Sequence, residues 1–145
     1  MRYLSAAFTA LALLAAPTLA SAEDPVYDKG PVWDYGQIKT VDGHFDDYMK
    51  WLAGPWQEQQ EALKKAGYIL SYKVLLVADP RKDEPDIILA TEYKNMAAFD
   101  TTTKEEYAMG EKIWGSLSKA SQEQAARGAI RTIMGDMVVR EAILK

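Results

Sequence analysis

The stretch YILSYKVLLVADPRKDEPDIILATEYK, Tyr68–Lys94, lies between two helical regions and decides the fold. Tyr68, Leu70, Tyr72, Val74 and Leu76 alternate with Ile69, Ser71, Lys73, Leu75 and Val77. Both sets turn apolar toward their end, which predicts a strand over Tyr68–Ala78 that is covered on both faces. Asp79-Pro80 through Pro85-Asp86 is a charged turn with two prolines, and Ile87–Lys94 predicts the returning strand.

On the N-terminal side, Pro31–Val41 alternates Trp33, Tyr35, Gln37 and Lys39 against Val32, Asp34, Gly36, Ile38 and Thr40, a strand in which Gly36 marks a bulge or close approach. Asp42 offers an N-cap, with Asp46 and Asp47 in the first turn where the helix dipole favours negative charge. From Phe45 the apolar positions Tyr48, Met49, Leu52, Trp56, Leu63 and Ala66 keep helical spacing, and Gly67 closes the helix. Pro55 has no N–H for the carbonyl of Trp51, so a kink or break is expected at Gly54-Pro55.

On the C-terminal side, Asn95 caps a short turn, Met96–Asp100, and Thr103-Lys104-Glu105-Glu106 reads as a capping box. It opens a helix with Tyr107, Gly110, Trp114 and Leu117 on one stripe; Ser121-Gln122-Glu123-Gln124 repeats the signal. Ile130, Ile133 and Met134 finish the helical region before Gly135, and Met137–Leu144 predicts the last strand. The order is β-α-β-β-α-β: two β-α-β halves joined by a hairpin, the ferredoxin-like α+β arrangement with an antiparallel sheet and helices on one face. Strands apolar on both faces call for cover on the open face, and a second copy of the sheet in a two-fold homodimer supplies it.

The chain has 145 residues, 48% of them hydrophobic and 26% charged, with no cysteine. That excludes disulfides, zinc–thiolate sites, iron–sulfur clusters and a lipidated cysteine anchor. Residues 1–22 carry Arg2, an alanine/leucine run and a terminal Ala20-Ser21-Ala22, and read as an export signal cleaved after Ala22. The expected mature protein is periplasmic or secreted and keeps no membrane span. Its polar first stretch, 23–30, reads as a flexible arm, and 31–145 as one domain. It carries 16 basic against 21 acidic residues, which gives no basic footprint for nucleic acid or anionic lipid.

The β-α-β-β-α-β order, the Glu92-Tyr93 strand end running into Asn95-Met96-Ala97-Ala98-Phe99, and the strand at the C-terminus together resemble the dimeric α+β barrel superfamily. That group includes small antibiotic-biosynthesis-type monooxygenases, EthD-like and NIPSNAP-like proteins, and haem-binding relatives. The resemblance implies a homodimer with a cleft between sheet and helices. Monooxygenase-like members often carry a histidine shortly after the short helix, where this chain has Asp100-Thr101-Thr102-Thr103. Haem-binding relatives likewise place their axial histidine later than any histidine here.

His44, the only histidine, sits beside Asp42, Asp46 and Asp47. It reads either as a base or ligand oriented by a carboxylate, or as a solvated first-turn residue. The three aspartates match no calcium loop and read as dipole dressing, so no metal site and no cofactor is expected. Eight of the thirteen aromatics beyond residue 22 lie between Trp33 and Tyr72. Trp33, Tyr35, Tyr48, Trp51, Trp56 and Tyr72 are therefore both core material and the best pocket material. Arg140, with Glu92 and Glu141, puts charge in a strand, as a surface pair or as an anchor for an acidic ligand.

No nucleophile elbow, phosphate loop, dinucleotide glycine signature or zinc-protease motif is present. Three readings follow. The first is an exported homodimer binding a small hydrophobic or aromatic molecule through Trp33, Tyr35, Tyr48, Trp51, Tyr72 and Arg140. The second is a cofactor-free oxygenase or isomerase with His44 as base. The third is a structural or partner-binding module.

Overall fold

The computed structural model describes residues 23–145; the expected export segment, 1–22, lies outside the described residues. The chain runs β1 (Tyr27–Thr40), α1 (Phe45–Trp51), a π-helical turn (Leu52–Trp56), α2 (Gln57–Lys65), β2 (Ser71–Leu76) and β3 (Ile87–Tyr93). A 3₁₀ turn (Met96–Phe99), α3 (Thr103–Trp114), α4 (Leu117–Arg127) and β4 (Arg131–Leu144) complete it. The four strands form one sheet in the order β2-β3-β1-β4, every neighbouring pair antiparallel. This is the ferredoxin-like α+β fold that the element order predicts.

Alternation along β1 sorts the two faces of the sheet. Val32, Asp34, Gly36, Ile38 and Thr40 turn toward the helices, and Ile38 pairs with Ile87 on β3 and Ile133 on β4. Ile38 and Ile87 pack with Tyr48, Leu52 and Trp56 as the core, each large apolar side chain contributing roughly 1.5–3 kcal/mol by its removal from water. Trp33 and Tyr35 turn to the opposite face and stack there with ring centroids 6.1 Å apart. Lys73 lies over the Trp33 ring on that face, and Ser71 donates to the Glu92 carboxylate across β2 and β3. That contact explains a charge inside β3.

Several boundaries differ from the sequence reading, each for a physical reason. β1 starts at Tyr27, so part of the expected arm 23–30 is strand; Tyr27, Asp28 and Lys29 pair with Leu144, Ile143 and Ala142 of β4. The cap of α1 is His44 rather than Asp42, because Gly43 takes a left-handed turn (φ 82°) that only a glycine adopts cheaply. The capping box is formed by Thr102 and Glu105, one residue earlier than expected. Gly115 (φ 79°) ends α3, and Ser116 Oγ then accepts from Lys119 N, so the second helical start is Ser116 and not Ser121.

The largest difference is β4. Ile130, Ile133 and Met134 have helical spacing, yet the helix stops at Arg127 and strand begins at Arg131. Arg131, Thr132 and Ile133 instead hydrogen-bond along Thr40, Lys39 and Ile38, a pairing invisible to local periodicity. A register shift at Gln37/Ile38 absorbs the extra residue.

Candidate ligand cleft

A cleft of about 310 Å³ opens between the sheet and the helices. Gly36 and Ile38 of β1, Leu89 of β3, and Arg131, Ile133 and Asp136 of β4 make its floor. Tyr48, Trp51, Trp56 and Gln59 close one side, and Trp114, Gln124 and Arg127 the other. The bare backbone of Gly36 belongs to this floor, since a Cβ there would stand 3.2 Å from Asp136 Oδ1.

The π-helical turn sets the aromatic wall. In a regular α-helix, residues eight apart sit about 80° round from one another, which would swing Trp56 away from Tyr48. The wider turn around Pro55 takes up the extra residue, with Gln57 N donating to the carbonyl of Leu52. Tyr48, Leu52 and Trp56 are consequently all buried. Tyr48 and Trp51 stack at 5.6 Å with their planes 16° apart, and Trp56 meets Tyr72 edge-on at 5.3 Å.

Two arginines enter this wall from the other half of the chain. Arg127 is 7% exposed and Arg131 8%. The Arg127 guanidinium lies 4.2 Å over the Trp51 ring and 5.7 Å from that of Trp114, while Arg131 lies 5.5 Å from the ring of Tyr48. Both donate to one acceptor, Gln124 Oε1, at 2.8 and 3.2 Å. The nearest carboxylate, Glu123, is 4.0 Å from Arg127 Nη1, beyond hydrogen-bond range. Arg127 Nε and Nη1, Arg131 Nε, Tyr48 Oη and Trp51 Nε1 are buried with no protein hydrogen-bond partner. Each such group costs about 1–3 kcal/mol. Burial, and then the charge of Arg131, lowers the pKa of Arg127; burial raises that of the Tyr48 phenol, against the pull of the two arginines.

Of the residues singled out in the sequence, Tyr48, Trp51 and Trp56 meet in this cleft. Trp33 and Tyr35 lie on the opposite sheet face. Tyr72 is on the helix side but gives its hydroxyl to Glu61 at 2.6 Å, outside the lining. His44 is half-exposed, bonds Asp47 at 3.1 Å and does not line the cleft. Arg140 stands opposite Val32, far along β4 from Arg131, and makes no ion pair among the described residues. Among the described residues no three histidine or carboxylate side chains converge as a metal site. Arg127, Arg131, Gln124 and Trp114 were not legible as a group, although two arginines four apart among Ala125, Ala126, Ala129 and Ile130 carry a signal: charge embedded in an apolar run.

A roomier cleft, about 430 Å³, lies between α2 and the α3–α4 pair, lined by Ala62, Leu63, Ala66, Met109 and Ile113 with exposed Glu58, Lys112 and Lys119 at its edges. None of its lining residues holds a buried polar atom lacking a partner. Of these two clefts, the smaller one holds the unpaired polar groups; Asp34 Oδ1 and Gln60 Oε1 are buried without a partner elsewhere in the fold.

No protein-family model matches the sequence, and no curated protein matches it. Among solved structures, the chain is similar to HapK from Hahella chejuensis, with TM-score 0.52 and 13% identity over 76% of this chain and 91% of that one. Protein SO0527 from Shewanella oneidensis gives TM-score 0.48 and 12% identity, covering 81% and 96% of the two chains. A dimeric ferredoxin-like protein from an uncultured marine organism gives 0.48 and 10%, covering 81% and 90%. At these identities the likeness is one of fold, and it does not reach the monooxygenase-type, EthD-like or NIPSNAP-like groups individually.

Proposed function

We propose that the protein is an exported homodimer that binds a small, flat, largely apolar molecule in the cleft between sheet and helices. One observation carries this reading. Four large aromatic side chains, Tyr48, Trp51, Trp56 and Trp114, wall a space whose lining holds five buried N–H and O–H groups with no protein partner. A structural core satisfies such groups; a binding site keeps them for its ligand. Export is supported by the composition of residues 1–22. Dimerisation is supported by the open sheet face, where Trp33, Tyr35 and the exposed Leu75 and Met137 have no helix over them. The half-exposed position of His44 outside the cleft gives a His44-based reaction no support.

Native mass spectrometry of protein purified from its own host tests the reading. The expected result is two chains, each beginning at Glu23, with an added small mass that disappears in Trp51→Ala. A monomer, or a dimer that never carries a small molecule and ignores Trp51→Ala in binding screens, returns the protein to a structural or partner-binding role.

A further inference from the structure

We propose that the cleft recognises a monoanion, a carboxylate carried on a planar aromatic or conjugated body, and that Arg127 and Arg131 are its anion-binding pair. The proposal rests on the reading of this cleft as a ligand site and adds the ligand's charge and class.

Two buried like charges are an expensive arrangement. The guanidiniums of Arg127 and Arg131 are both more than nine-tenths buried, and they share a single neutral acceptor, Gln124 Oε1. Bringing two cations out of water without a hydrogen-bonded counter-ion is strongly unfavourable, and an anion held between them offsets that cost. Guanidinium and indole N–H groups donate and never accept, so the group that completes Arg127 Nε and Nη1, Arg131 Nε and Trp51 Nε1 must be an acceptor. Tyr48 Oη adds a fifth donor on the same wall.

Geometry narrows the acceptor further. Trp51 lies against the Arg127 guanidinium and Tyr48 lies 5.5 Å from that of Arg131, Gln124 takes one terminal nitrogen of each, and the buried N–H groups left over are Arg127 Nε and Nη1 and Arg131 Nε. Unpaired donors on two separate guanidiniums can each take one oxygen of a carboxylate placed between them. Glu123 near Arg127 and exposed Asp136 at the floor already offset part of the positive charge, which suits one ligand charge better than the two of a phosphate monoester. The remaining walls, Ile38, Leu89, Trp56 and Trp114, are apolar or aromatic and fit a flat hydrocarbon body. At about 310 Å³ the space is at the small end of ligand pockets, room for a molecule of one or two fused rings.

Calorimetric titration of the protein with three probes of one shape tests this: 2-naphthoate, its neutral amide 2-naphthamide, and 2-naphthyl phosphate. The naphthoate is expected to bind at least about tenfold more tightly than either of the others, one good charge-assisted contact being about 1.4 kcal/mol or more, a factor of ten. Arg127→Met and Arg131→Met should each lose that advantage while holding the amide within about twofold. Should a methionine variant fail to fold, the ¹H–¹⁵N signals of the arginine Nε–H groups and the Trp51 indole in the unaltered protein decide instead. The arginine Nε–H signals are expected to shift downfield with naphthoate and far less with the amide, while the Trp51 indole moves with either ligand. Equal affinity for acid and amide would overturn the anion assignment and leave the cleft reading standing. Preference for the phosphate overturns the monoanion. If no probe binds and none of these signals moves, both the anion and the cleft readings fall.

Discussion

Arg127 is held by stacking and by one amide oxygen, with Glu123 only a loose ion-pair partner at 4.0 Å, and this sets the expected response to its removal. Methionine is shorter by two atoms but flexible and polarisable, and it can lie against Trp51 without a charge. Replacing a buried ionic group by a well-packed apolar one is often stabilising by about 1–4 kcal/mol. Arg127→Met is therefore expected to raise the melting temperature while weakening ligand binding, the trade-off of a site kept at the expense of stability. A fall in melting temperature in calorimetry would show that the guanidinium contributes to the fold itself. Asp34 makes a second prediction. Burial, and then the charge of Asp136, hold its carboxyl above the ordinary 3.8. A carboxyl with a higher pKa in the folded than in the unfolded chain contributes stability that is complete below the unfolded value and is lost as pH rises through the folded value. Asp34→Asn should remove that decline, leaving the variant more stable than the parent above the window and flatter across it in urea titrations from acid to neutral pH. A steeper decline in the variant would contradict the assignment.

At the scale of elements, the π-helical turn is an insertion that keeps two halves of a helix in register. Removing the exposed Ala53 together with Pro55→Ala leaves a regular helix in which Tyr48, Leu52 and Trp56 still share a face, so the fold and Trp56 burial should survive. Adding an alanine beside Ala53 turns α2 by about 100° against α1 and takes Trp56 from the core. The insertion is expected to cost about 3–5 kcal/mol, the range for losing a large aromatic from a core. Chemical denaturation of the two variants separates the outcomes; equal losses would mean that the turn has no registering role. A similar economy joins α3 and α4. Gly115 stops one helix and Ser116 caps the next, while Leu117 still reaches back to Gly110, where a Cβ would lie 3.2 Å from Leu117 Cδ2.

At the scale of the whole molecule, the sheet has helices on one face only among the described residues. The other presents Trp33 and Tyr35 beside Leu75 (39% exposed) and Met137 (49%). Apolar side chains gathered on one surface mark an interaction site, and a two-fold copy of the same surface covers it on both sides at once. Leu75→Glu with Met137→Glu should halve the mass measured by light scattering and leave the circular dichroism spectrum intact. An unchanged mass would place the interface elsewhere or give a monomeric parent.

The sequence by itself determined the order of the elements and the split arrangement of the sheet. Alternation in Tyr68–Lys94, helical spacing from Phe45, and the turn chemistry of Gly67, Pro80 and Asn95 are local signals, and local signals settle local structure. They also brought Tyr48, Trp51 and Trp56 together, since these share one helical stretch. Tertiary structure decided the rest. The start of β4 depended on hydrogen bonds to Thr40 and its neighbours, a partner far away in sequence that overrode a helical pattern. Strand alternation sends Trp33 and Tyr35 away from Trp51, but which face the helices cover is a matter of packing. The meeting of Arg127 and Arg131 with Tyr48 and Trp51 required α4 and β4 to close over α1. No periodicity within either segment records that encounter, because its physics is the burial of charge against a ring supplied by the opposite half of the chain.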